Sequence, residues 1–73
     1  MNAEAMAEDR AMAWHLAKRV VDRNLNPLYV WASCWLLYAI CKRLGLQGPC
    51  LAWLGERRPE MADEIRESLN FVS

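Results

Sequence analysis

The side chains of this chain best suited to holding a soft metal are Cys34, Cys41 and Cys50, together with its single histidine, His15. A structural zinc site draws its ligands in pairs about two to four residues apart. These cysteines match no such pattern, and Cys34 and Cys41 fall two turns apart on a helix flank. Three is also an odd number, without the repeated short spacing of a disulfide framework. Buried cysteines otherwise behave as small hydrophobes, so neither a metal nor a cofactor is expected. Catalysis would need a nucleophile, a base or a carboxylate pair gathered in a pocket. His15 stands alone beside Trp14, and no glycine-rich loop could cradle a phosphate. The sequence predicts a protein that is not an enzyme.

The chemistry of recognition is better supplied. Tyr29, Trp31, Trp35 and Tyr38 fall within one short stretch, and residues 31, 35 and 38 repeat at helical spacing. Such a stripe is either core or a contact with another chain, where aromatic side chains carry much of the binding energy. The expectation is core plus a homodimer seam made of Tyr29, Trp31, Trp35 and Tyr38. Further on, Arg57 and Arg58 form a charged connection that either meets a partner or neutralises Glu60 and Glu64.

Helices must position these groups. Asn26 is a good N-cap, and Pro27 suits a first helical position, where a missing N–H is not needed. Gly45 can take the left-handed conformation that closes a helix. Between them, Leu28 to Cys41 carries no charge, and Ser33 is its only polar aliphatic side chain. A helix apolar on every side is buried all round or lies in lipid. At about 1.5 Å per residue the uncharged run spans only about 21 Å, short of a bilayer core of about 30 Å. A buried central helix over about 27–44 is therefore expected, and no membrane span.

Before it, residues 2–23 form an amphipathic helix with Met6, Ala13, Leu16, Ala17 and Val20 on one stripe. After it, Pro49 opens a short helix over 49–55, ended by Gly55. Pro59 opens a last helix over 59–70, with Met61, Ala62, Ile65 and Leu69 on its inner face. No alternating strand pattern or hairpin dipeptide interrupts these segments. The expected fold is all-α: a compact bundle of four helices in one domain, 1–73.

A 73-residue chain holds a small core, yet 55% of this one is hydrophobic and four residues are tryptophan. Such an apolar excess suggests self-association or docking on another protein. Nine basic and nine acidic residues balance to zero net charge, which argues against a generic nucleic-acid binder. The first residues are acidic-leaning and have no basic region before an apolar run, so no signal peptide is read there. A cytoplasmic protein with reduced cysteines is expected, with residue usage of the kind found in a bacterium, phage or plasmid.

One segment has a recognisable design. A helix-turn-helix needs a small residue where its helices cross, a glycine in the turn, and apolar residues locking both helices to the core. Cys41 is that small residue, Gly45 the glycine, and Ile40, Leu44, Leu46, Leu51 and Leu54 the locking set. The run Ile40-Cys41-Lys42-Arg43-Leu44-Gly45-Leu46 resembles the helix-turn-helix of the lambda-repressor and Cro-like family. Trp53-Leu54-Gly55-Glu56-Arg57-Arg58-Pro59 is similar to that family's basic exit from the recognition helix. The resemblance covers about residues 38–69. The family has a break before its second helix, whereas here the apolar run continues from Leu28. The resemblance implies that Gln47, Gly48, Pro49, Ala52, Trp53 and Glu56 face the major groove, with Gln47 able to read adenine. Lys42, Arg43, Arg57 and Arg58 would then hold the phosphate backbone.

Two functions are compatible with these features. One is a small homodimeric regulator of transcription that binds double-stranded DNA through Gln47 to Arg58. The other is a helical protein-interaction module, of the kind phages and plasmids encode. It would inhibit or adapt a host protein through an apolar and aromatic surface that includes Trp53.

Overall fold

The computed structural model describes residues 3–72, which form α1 (Ala3–Val20), α2 (Pro27–Arg43), α3 (Gln47–Arg57) and α4 (Pro59–Val72). The described chain is all-α, as its periodicity predicts. α2 begins where Asn26 Oδ1 accepts the Leu28 N–H at 2.8 Å, with Pro27 as its first residue. It continues unbroken through Ser33, which is buried. Among the described residues no helix is long and apolar enough to cross a membrane.

α2 ends in a Schellman motif. The Leu46 N–H donates to the Cys41 carbonyl at 2.7 Å and the Gly45 N–H to the Lys42 carbonyl at 3.1 Å. This double bond pattern requires a left-handed residue after the cap, and Gly45 has φ +74°. A Cβ at this position would meet nothing within 4 Å. Gly45→Ala therefore carries the conformational penalty alone, an expected loss of about 1–2 kcal/mol. Urea midpoints of wild type, Gly45→Ala and Gly45→Asn measure it. Asparagine tolerates this region better and loses less; an alanine variant as stable as wild type would refute the account.

The boundaries of α1 and α3 differ from the sequence expectation. α1 stops at Val20 rather than Arg23, because the Asp22 side chain accepts the Asn24 N–H at 2.9 Å. That Asx-type turn offers the backbone an alternative to the helix. α3 starts at Gln47, two residues before Pro49, and runs past Gly55 to Arg57. Proline is harmless there because the first N–H groups of a helix have no partner within it. Gly55 does not terminate α3, since its φ is not positive. The chain turns instead at Arg58 (φ −138°, ψ 69°), where the following Pro59 disfavours helical backbone. α4 extends beyond the expected 59–70 to Val72.

α2 is the hub: α1, α3 and α4 all pack on it, and α3 also packs on α4. The core joins Leu16 and Val20 of α1 to Cys34 and Leu37 of α2, Leu54 of α3 and Ile65 of α4. Ala62 and Ile65 are fully buried on α4, with Met61 and Leu69 packed partly against them, the face expected from their spacing.

Candidate functional site

The cations expected to meet a partner are largely engaged within the chain. Arg58 donates from Nε to the Val20 carbonyl at 2.9 Å and from Nη2 to the Asp22 carbonyl at 3.4 Å. It caps the C-terminus of α1, where a helix presents unsatisfied carbonyls and partial negative charge. Arg43 forks onto Asp9, with Nε 3.2 Å from Oδ2 and Nη2 2.5 Å from Oδ1, tying the end of α2 to α1. Arg57 lies over the Trp53 ring, 4.4 Å from its centroid, and donates to Glu56 Oε2 at 3.2 Å. Lys42, Gln47, Gly48 and Glu56 are exposed, and Trp53 is half-buried. Exposed on α3 are thus Gln47, Gly48, Pro49, Ala52 and Glu56, with Arg57, held by Trp53 and Glu56, the one cation of the helix.

Three of the four residues expected at a seam are buried or bonded within the chain. Tyr38 is buried in the core and cannot form an exposed seam. Trp31 and Trp35 both donate their indole N–H to Glu64 Oε2, at 2.7 and 3.2 Å, and so face α4. A hydrogen bond from each indole satisfies the polar end of a side chain whose body is apolar. Only Tyr29 remains free of such ties, exposed beside Leu28. Residues 31 and 35 share a helical face, and that face meets the chain's own fourth helix.

A different surface is open. Between α1 and α3 runs an apolar groove of about 390 Å³. Trp14 and Ala17 of α1 form one wall, Pro49 and Trp53 of α3 the other, and Leu37 and Cys41 of α2 the floor. Leu46, expected to lock the core, is 46% exposed and lies at the groove's edge beside the turn. Trp14 is 64% exposed, with Lys18 Nζ 5.4 Å from its ring centroid. Large apolar residues open to solvent around a concave surface are the features from which binding sites are built.

No protein-family model matches this chain. Comparison with characterised proteins and with solved structures likewise finds no significant match.

Two of the cysteines, Cys41 and Cys50, line this groove. Cys41 and Cys50 lie beside each other between α2 and α3, and all three cysteines are buried. Burial pushes the Cys34 thiol up to about 11 and, with Cys41 beside it, the Cys50 thiol up to about 12. Among the described residues no group of three His, Cys, Asp or Glu side chains could hold a metal ion. The raised values have a sign. The unfolded chain releases these protons at lower pH than the folded one, so stability is full below about pH 9 and falls as pH climbs towards 11 and 12. Urea midpoints at pH 7.5 and 10.5 should show this fall. A Cys34→Ala, Cys50→Ala variant should show a shallower one; equal slopes would refute it.

Sequence reasoning set Trp14 beside the apolar stripe of α1, and Arg10 and Lys18 off it, but gave none of them a place in a site, although their signal was present. Arg10, Trp14 and Lys18 stand four residues apart in turn, as do Pro49, Trp53 and Arg57. The roles of Asp9 and Glu64 had no such signal, because each depends on a residue about thirty positions away.

Proposed function

We propose that this chain is a small protein-interaction module, an adaptor or inhibitor, that holds an apolar segment of a partner protein between α1 and α3. The observation that carries this reading is the open groove walled by Trp14 and Trp53. Helix-in-groove recognition uses such a concave apolar strip, with anchors on successive turns of the bound segment. Binding does not call for a second copy of the chain, since three of the four expected seam residues are committed to α4 or the core.

A pull-down with the immobilised chain tests the reading. One stoichiometric protein partner should be recovered, and Trp14→Ala and Trp53→Ala should each weaken its capture. A central tryptophan is worth about 2 kcal/mol or more, roughly thirtyfold in affinity. Trp14 is exposed, so its loss leaves the fold intact, and far-UV circular dichroism confirms this for both variants. A partner retained equally by both variants would overturn the groove as the site.

One observation favours a second reading, a DNA-binding regulator of helix-turn-helix type: the glycine turn of Leu44 to Leu46 between α2 and α3. Its weakness is electrostatic. Phosphate contacts dominate DNA affinity, yet Arg43 and Arg58 are engaged on Asp9 and the end of α1. Titration of mixed duplex DNA at low salt separates the two readings. Binding at micromolar protein that weakens in Arg57→Ala would favour DNA; its absence leaves the protein partner.

A further inference from the structure

We propose that the occupant of the α1–α3 groove is an acidic amphipathic helix, with apolar anchors flanked by Asp and Glu. This deepens the reading above and rests on the groove being the binding site. The argument is one of charge. Arg10 is the sole charged residue lining the groove among the described residues, and no carboxylate lines it. Lys18 and Arg57 add two cations at its rim, one over the Trp14 ring and one over the Trp53 ring. Glu56, the carboxylate paired with Arg57, lines with it a separate cavity beside Val20 and Arg58, so Arg57 reaches the groove only through its place over the Trp53 ring.

The two walls are built alike. Arg10, Trp14 and Lys18 make a ridge along α1, and Pro49, Trp53 and Arg57 make one along α3. Each ridge spans nine residues of helix, about 12 Å from first to last. A bound helix with apolar side chains at i, i+3, i+4 and i+7 has its anchors spread over nearly that length. Its flanking positions then fall against the three cations, where carboxylates gain and ammonium groups are repelled.

A second copy of this chain is a poor occupant. Groove against groove would oppose Arg10, Lys18 and Arg57 to their own images. α4 carries the acidic residues Glu60, Asp63, Glu64 and Glu67, but Met61, Ala62, Ile65 and Leu69 beside them are packed on the core.

A peptide-display selection on the full chain tests the proposal. The library holds sixteen-residue helix formers with leucine or phenylalanine at i, i+3, i+4 and i+7. Flanking positions vary among Glu, Lys, Gln and Ser. Binders are kept only if they fail on the Trp14→Ala, Trp53→Ala double variant. The expected result is enrichment of Glu over Lys at the flanks by about tenfold or more. Affinities of the selected peptides should weaken at high salt. The surface reversal Lys18→Glu with Arg57→Glu should turn the preference towards Lys. Groove-dependent binders with Glu and Lys equally represented, or a preference unmoved by the reversal, would overturn the acidic occupant while leaving the groove as the site. Failure to obtain any groove-dependent binder would overturn both.

Discussion

Leu54→Ala should leave much of this protein unfolded at room temperature. Leu54 is completely buried in the cluster that joins all four helices, so the deleted atoms leave a cavity with no solvent to fill it. Leucine-to-alanine changes at such sites lose about 2–5 kcal/mol, more where the surroundings cannot collapse. A single core of this size supplies only about 3–5 kcal/mol of net stability. The two figures are of the same order, so far-UV circular dichroism should fall well below the wild-type signal at 25 °C. Leu54→Met, nearly equal in volume, should stay folded with a loss under about 1.5 kcal/mol. A cooperative, wild-type-like melt of Leu54→Ala would mean that the core is not centred on α3.

Arg58→Ala should lower stability by about 1–3 kcal/mol, the range for hydrogen bonds made by a charged donor. Its guanidinium is part-buried and satisfies the Val20 and Asp22 carbonyls at the end of α1. Removing it leaves the Val20 carbonyl, on a residue buried in the core, without that donor. Each kcal/mol shifts the melting temperature of a domain this small by about 4–8 °C. Scanning calorimetry measures the shift, and Arg58→Lys should recover part of it through charge at the helix end. An unchanged melting temperature would refute the capping role. The comparison also bears on function: any binding lost in Arg58→Ala must be measured where the variant is still folded. Otherwise a loosened α1 would imitate a missing phosphate contact.

Local chemistry made much of the architecture legible. Asn26 with Pro27, Gly45, and Pro59 mark helix ends through caps and turns that depend only on their immediate neighbours, and each acts as expected. The same local reasoning failed at Pro49 and Gly55. Proline is tolerated anywhere in the first turn, and a glycine ends a helix only where a left-handed residue is required. The candidate site was less legible because charge and aromaticity do not say which surface they meet. Trp31 and Trp35 have the composition of an interface, but Glu64 on α4 accepts both indoles. Arg43 and Arg58 look like partner contacts, but Asp9 and the end of α1 take them first. Trp14, left open on α1 opposite the edge of α3, forms a concave surface that only the three-dimensional arrangement could reveal.

The order of packing has a kinetic consequence. α1 meets α2, α2 meets α3, and α3 meets α4, and these neighbouring pairs carry most of the packing. Nearly every interface therefore closes a short loop, and chains of this topology fold in microseconds to milliseconds. The α1–α2 hairpin contains the hub helix and its first partner, so it can form before α4 has left the ribosome.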